Sequence, residues 1–405
     1  MKIYKNLSQI LTLESAHAKD GRNLIPDDLS LIENASVVFD ENEILWVGET
    51  IDLPMKYLMS ENIFDLNDHC LTPELVDCHT HLVFGGDRSK EYSMRLNGAD
   101  YQEIASSGGG IIATMNATKK SNFNTLYNQA VKRIERIHSY GIGTIEIKSG
   151  YGLNFEEERE LSLIIDKLKK HFVSKVQIKN TYMAAHAVPE SFKNSADYIE
   201  NMVIPLMKEL SALEIIDAVD IFHEEGYFNE SDVKLLFTEA QKLHLPVKTH
   251  SDEFKDNGGA ALACSFNALS CDHLLMTGES GIKALSESQT VATLLPGTGF
   301  FLGKKQANAR KLLDAGVKVA IGSDYNPGSC HFDNLLLIAQ ISAPTLNMNQ
   351  AELWSSITLN SSHALGILDQ GAIIKGMKPR FSLFKCKSID QITYKWGVNL
   401  SEELI

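Results

Sequence analysis

Leu75-Val-Asp-Cys-His-Thr-His81 decides the reading of this chain: it is a short apolar run that closes on two histidines. Working outward, short apolar runs that close on polar or glycine residues recur at 144–148 (TIEIK), 178–183 (IKNTYM), 218–223 (AVDIFH), 246–250 (PVKTH), 269–273 (LSCDH), 290–295 (TVATLL) and 317–323 (VKVAIGS). Longer amphipathic stretches lie between them, among them Asn124 to Tyr140, Glu156 to Lys170 and Ser231 to Leu243. Repeated strand-then-helix units predict a parallel sheet, because parallel neighbours need a long return connection. With 75–79 as the first, the eight strands predict an α/β chain built on a (β/α)8 TIM-type barrel over residues 71–365.

Residues 1–70 have a different rhythm. Ala35-Ser-Val-Val-Phe39 and Ile44-Leu-Trp-Val-Gly48 flank the polar turn Asp40-Glu-Asn-Glu43, the pattern of a β-hairpin. After residue 365 short runs return at Ala372-Ile-Ile374 and Phe381-Ser-Leu-Phe384. The tail, 366–405, is therefore expected to join 1–70 in one small composite β-sandwich domain.

Composition narrows the function classes. The 405 residues carry 38 Lys+Arg against 52 Asp+Glu, a net charge of −14, which argues against a general nucleic-acid binder. With 44% hydrophobic residues the chain is too apolar to be disordered. Its six cysteines have no CxxC spacing and read as buried free thiols of a reducing compartment. The opening MKIYKNLSQILTLE lacks the pattern of a signal peptide, and no apolar run reaches the roughly 18 residues of a membrane span. A cytoplasmic protein without nucleic-acid or membrane partners is expected.

Catalytic groups of a barrel sit at the C-terminal ends of its strands. Here those ends carry His79-Thr-His81, His186, His223-Glu224, His250, His273 and Asp324. His79 and His81 are two apart on an extended segment, so both project to the same side. With His250 and Asp324 they make a set of three nitrogens and one oxygen that suits Zn²⁺ or Fe. The run Gly108-Gly-Gly110 lacks the Lys-Ser/Thr of a phosphate-binding loop and reads as a flexible loop.

Val76-Asp-Cys-His-Thr-His81, with His250, His273 and Ser323-Asp324, resembles the amidohydrolase superfamily of metal-dependent hydrolases. More narrowly, His79-Thr-His-Leu-Val-Phe-Gly-Gly-Asp-Arg88, Gly108-Gly-Gly-Ile111, Glu146-Ile-Lys-Ser-Gly-Tyr-Gly152, His250-Ser-Asp-Glu-Phe254 and Ser323-Asp-Tyr-Asn-Pro-Gly328 are similar to the imidazolonepropionase family, over nearly the whole chain. The resemblance implies hydrolysis of the small molecule 4-imidazolone-5-propanoate to N-formimidoyl-L-glutamate in histidine degradation. It also implies one Zn²⁺ or Fe³⁺ per subunit and a homodimer.

Opening a cyclic amide needs a nucleophile and a proton for the departing nitrogen. A metal ion acidifies the attacking water, and Asp324 reads either as acceptor of its proton or as a pure ligand. His273 is the candidate to polarise the carbonyl or shuttle the proton. Glu253, in the loop leaving the fifth strand, is placed by the resemblance at the substrate ring nitrogen, with Glu224 a weaker second candidate and the part of His223 open. The resemblance also has His186 hydrogen-bond the ring or its oxygen. Arg88 offers a planar fork for the propionate, Tyr151 sits between two glycines that allow a tight turn, and Tyr101 is a further partner. Asn326, Gly328 and Ser329 are implied to line the site and meet the product.

Other enzymes with the HxH strand stay in view. A binuclear amidohydrolase uses a carbamylated lysine on the fourth strand; here that strand ends Phe222-His223-Glu224, and the nearby strand-end lysine, Lys148, is on the second. One metal is favoured. A mononuclear deaminase of a guanine- or cytosine-like ring would use the same ligands, but the loop carrying Arg88 argues for a carboxylate-bearing substrate. A non-catalytic binding barrel would have lost a ligand or proton-handling group, and none is missing. The tail reads Gly376-Met-Lys-Pro-Arg-Phe-Ser382 where many amidohydrolases place Ala-Asp-Leu, a departure confined to the small domain.

Overall fold

In the computed structural model, which describes residues 1–99 and 109–404, the chain begins with the strands of a mixed sheet. β1 (Lys2–Leu11) pairs antiparallel with β2 (Leu31–Phe39), and β2 with β3 (Ile44–Glu49). The turn between β2 and β3 is set by Asp40, whose carboxylate accepts from the N–H groups of Asn42 and Glu43. The other edge of β1 takes β4 (Ile63–Asp65) and β5 (His69–Pro73) in parallel.

The barrel follows in strict order: β6 (Leu75–Asp77), β7 (Ile142–Lys148), β8 (Gln177–Ala185), β9 (Ala218–His223), β10 (Val247–Ser251), β11 (Ser270–His273), β12 (Val291–Leu294) and β13 (Val319–Ile321), each parallel to the next. The ring closes just beyond the strand ends. Thr80 bridges Tyr325, and the N–H of Asp324 donates to the carbonyl of His79 at 3.0 Å. The first and last strands thereby deliver His79, His81 and Asp324 to one place.

The expected helices form as Phe123–His138, Phe155–His171 and Glu230–Lys242. Each starts on an asparagine (Asn122, Asn154, Asn229) whose side-chain oxygen accepts an N–H of the first turn. Phe155–His171 also carries Glu156, Glu157 and Glu158 in its first turn and Lys169, Lys170 and His171 in its last, matching the helix dipole. Its Leu161, Ile164, Ile165 and Leu168 pack in one cluster with Ile145 and Ile147 of β7. The alternate residues of β7, Glu146 and Lys148, must face the barrel interior.

From the tail, β14 (Phe381–Lys385) pairs antiparallel with β5, and β15 (Ser401–Glu402) with β14. The seven strands are hydrogen-bonded into one mixed sheet, so the halves of the expected sandwich are joined edge to edge rather than only facing each other. The run at 372–374 is not a strand: Ala372 and Ile373 are buried, and the Ile373 N–H donates to the Thr12 carbonyl at 2.8 Å. Its apolar residues plug the core instead of extending the sheet. All six cysteines are free, five of them buried. Among the described residues no helix is long and apolar enough to cross a membrane.

Candidate active site and metal centre

At the C-terminal mouth of the barrel, nitrogens of His79, His81 and His250 and an oxygen of Asp324 converge. His250 Nε2 lies 3.4 Å from His81 Nε2, and Asp324 Oδ1 lies 3.6 Å from His79 Nε2 and 3.9 Å from His81 Nε2. Bonds of about 2.0–2.1 Å to a tetrahedral ion separate ligand atoms by roughly 3.4 Å, so these spacings fit one cation held by three imidazoles and a carboxylate. His79 Nε2 is buried without a hydrogen-bond partner among the described residues, as a ligand nitrogen reserved for an ion would be.

The other nitrogen of two of these rings is tied down. His79 Nδ1 donates to Asp272 Oδ2 at 2.6 Å, and His250 Nδ1 donates to Asp220 Oδ1 at 3.1 Å. A carboxylate accepts only, so each ring carries its proton on Nδ1 and turns the lone pair of Nε2 to the centre. Burial, then the nearby Lys148 charge, pushes both imidazoles well below their usual pKa and keeps them neutral.

His273 and Asp324 both sit in the left-handed region (φ 79° and 51°), a strained conformation for such residues that here turns two polar side chains into the mouth. Asp324 Oδ2 accepts from Thr298 Oγ1 at 2.6 Å. His273 Nδ1 faces Glu253 Oε2 at 3.7 Å. Burial raises the Glu253 pKa, so this carboxyl holds a proton more readily than an ordinary one.

Glu224 is occupied with the loop: its Oε2 accepts the N–H groups of Glu253 and Phe254 at 2.9 and 3.0 Å. It sets the position of Glu253. His223 Nδ1 donates to the Phe228 carbonyl at 2.9 Å, which folds the segment after β9 back on itself.

His186 stacks on His81, with ring centroids 5.1 Å apart and planes 17° apart, and its Nδ1 donates to the Gly150 carbonyl at 3.1 Å. Burial lowers its pKa to about 4, so the neutral ring presents Nε2 as an acceptor. Tyr151 is buried with its ring 6.0 Å from His81 and 5.8 Å from His186. The turn that places it needs glycine, because Gly150 has φ +115° and a Cβ there would meet the Met183 carbonyl oxygen at 2.8 Å.

Arg88 is nearly buried and donates from one nitrogen to Glu91 at 2.7 Å. Its Nη1 lies 1.9 Å from where a Cβ at Gly328 would be, so any side chain at 328 would have to displace the guanidinium. The Nε of Arg88 has no hydrogen-bond partner among the described residues. Asn326 spends its side chain on the loop after β13, accepting from the N–H groups of Gly328 and Ser329 and donating to the Asp324 carbonyl and to Ser329 Oγ. Ser329 is half-buried beside it. Tyr101 and Gly108 lie outside the described residues.

Sequence reading missed Glu91, Glu158, Asp220 and Asp272. Glu158 accepts the N–H groups of Gly150, Gly152 and Leu153, and so holds the Tyr151 turn from a helix where a glutamate reads as solvated. Glu91 accepts the Gly110 N–H at 3.2 Å as well as gripping Arg88. Asp220 and Asp272 did leave a signal: each stands at an inward position of a strand with both faces buried, where an unpartnered charge is not tolerated.

Comparison with known proteins shows the family and the fold. The profile of the amidohydrolase family matches residues 70–399. An imidazolonepropionase of Idiomarina loihiensis is 41% identical over 91% of this chain and 90% of its own length. Those of Bacillus cereus (38% identical; 97% and 92%) and Clostridium tetani (35%; 100% and 96%) match to a similar extent. Among solved structures, the atrazine chlorohydrolase of Arthrobacter aurescens complexed with zinc shares the fold at 13% identity, with a TM-score of 0.75 over 99% of this chain and 93% of that one. This metal-ready barrel belongs to the imidazolonepropionase family of the amidohydrolases.

Proposed function

We propose that this chain hydrolyses 4-imidazolone-5-propanoate to N-formimidoyl-L-glutamate in histidine degradation. The observation that carries the reading is the nearly buried Arg88 guanidinium, packed against Gly328 of the loop that leaves Asp324, with its Nε unpartnered among the described residues. A cation held there suits a ring substrate with a carboxylate tail. A guanine- or cytosine-like ring has no carboxylate to form that charged pair.

His79, His81, His250 and Asp324 hold one ion, Zn²⁺ or Fe³⁺. The ion supplies Lewis acidity, which lowers the pKa of water from about 15.7 to about 7. Arg88 binds the propionate, assisted by Tyr151 and Tyr101, and the His186 Nε2 accepts from a ring N–H. Water adds across the ring C–N bond: its oxygen joins the carbonyl carbon and a proton goes to the departing nitrogen, leaving a new carboxylate. Asp324 or His273 takes the proton of the attacking water, and Glu253 relays a proton to the nitrogen. Asn326, Gly328 and Ser329 shape the wall that meets the product. The enzyme works in the cytoplasm as a homodimer, with 71–365 as the catalytic barrel and 1–70 with 366–405 as the small domain.

The test offers metal-loaded protein two kinds of substrate. Consumption of imidazolonepropanoate without ammonia release from cytosine or guanine is expected. Ammonia release from either base, with imidazolonepropanoate untouched, would overturn the reading.

A further inference from the structure

The barrel interior beneath the metal site is charged where such barrels are usually packed with Val, Ile and Leu. Lys148 Nζ is fully buried, 2.6 Å from Asp220 Oδ2, 2.9 Å from Glu146 Oε2 and 3.5 Å from Asp272 Oδ2. Lys248 Nζ, also fully buried, lies 2.8 Å from Glu146 Oε1 and donates to the Cys78 carbonyl at 3.2 Å. Two ammonium groups therefore face three carboxylates, none of them in contact with water. Lys148 is the group that touches all three.

Two of those carboxylates are the ones that hold the metal-site imidazoles. Asp220 divides its oxygens, Oδ2 accepting from Lys148 and Oδ1 from His250 Nδ1, while Asp272 Oδ2 accepts from His79 Nδ1 and lies 3.5 Å from the Lys148 ammonium. Asp220 and Asp272, with a nitrogen of His250, are close enough to hold a cation of their own, and the chain fills that cage with a lysine. Ser270 Oγ donates to Asp272 Oδ1 and the Ile221 N–H to Asp220 Oδ1, but without the Lys148 ammonium Asp220 Oδ2 would lose its cation and the two like charges would repel more strongly, which weakens the hold of each on its histidine.

We propose that Lys148 is a positioning residue of the metal centre: through Asp220 and Asp272 it fixes the tautomer and direction of His250 and His79. The inference rests on the ligand set proposed above. It gives the lysine of the second strand a task unrelated to carbamylation, as a fixed cation between Asp220 and Asp272.

The experiment measures Zn²⁺ affinity by chelator competition, together with the visible absorption of the Co²⁺-substituted protein, for the wild type, K148M and the double variant E146Q/K148M. The double variant restores the buried charge balance and keeps the test open if K148M does not fold. Zn²⁺ affinity is expected to fall by about 10- to 100-fold in both variants, with an altered Co²⁺ spectrum. Wild-type affinity and spectrum in folded K148M, or in E146Q/K148M, would overturn the proposal, because a lysine that only balances charge is dispensable once Glu146 is neutral. Failure of the wild type to bind Zn²⁺ would instead refute the ligand set, which keeps the two claims separable.

Discussion

At the N-terminal mouth of the barrel, Lys318 donates to Asp20 at 2.6 Å and to Gln289 at 2.7 Å, and Arg22 donates to the carbonyls of Gly316 and Ser286. At the C-terminal mouth, His79 Nε2, His81 Nδ1, His273 Nδ1 and Arg88 Nε are buried without partners among the described residues. Both ends bury polar groups and both leave some unpaired, Thr290 Oγ1 and Asn360 Oδ1 among them at the N-terminal mouth, but the unpaired atoms of the C-terminal mouth are imidazole and guanidinium nitrogens, the groups that hold metal ions and carboxylates. Buried polar atoms are costly when unpaired, so a cluster of unpaired metal- and carboxylate-binding nitrogens marks the end that binds a ligand. At the N-terminal mouth Lys318 and Arg22 are paired within the chain, and their charge serves stability.

Substitutions should separate the two ends. The largest effect is expected for D324N, which removes the only anionic ligand of the set: metal affinity and turnover should collapse, with kcat falling on the order of 10³-fold or more. Near-normal turnover with metal bound would remove Asp324 from the ligand set. E253Q should lower kcat by about 10²- to 10⁴-fold with metal content unchanged, as expected for loss of a proton relay. Metal loss in E253Q would instead make Glu253 part of the ligand shell.

R88M should raise KM for imidazolonepropanoate about 10- to 100-fold, and much less for an analogue lacking the carboxylate. Equal losses on the two would remove Arg88 from the tail pocket. The smallest effect on catalysis belongs to the opposite mouth, at His363, whose Nδ1 accepts from Lys318 at 3.4 Å. Burial and then the Lys318 charge lower its pKa to about 4, against about 6.5 in an unfolded chain. The unfolded state therefore binds the proton first: this stability is complete above about pH 6.5 and is lost as the pH falls toward 4. H363N should shrink the drop in Tm between pH 7 and pH 5 while leaving kcat unchanged, and an identical drop in both proteins would contradict the assignment.

The barrel and its ligand candidates were legible for one physical reason. Parallel strands with both faces buried leave little room for polar residues, so His79, His81, His250 and Asp324 at their ends stand out. The same rule applied to Glu146, Lys148, Asp220, Lys248 and Asp272, but those residues are compensated across the barrel by strands far apart in sequence. Nothing local announces that pairing. Glu91 and Glu158 were hidden for the opposite reason, since a helical glutamate is normally solvated and only the folded chain brings Gly110 and Gly152 against them. The run at 372–374 has the composition of a strand, but its Ile373 N–H found the Thr12 carbonyl before any ladder.

A single metal ion is proposed to drive hydrolysis of a carboxylate-bearing imidazolone, and titration of metal-free protein with Zn²⁺ or Fe checks this by following the loss of ring absorbance of enzymatically generated 4-imidazolone-5-propanoate. Turnover should rise linearly to a plateau at about one ion per chain, with N-formimidoyl-L-glutamate formed in equal amount. Turnover without metal, a plateau at two ions, or no turnover at full loading would contradict it.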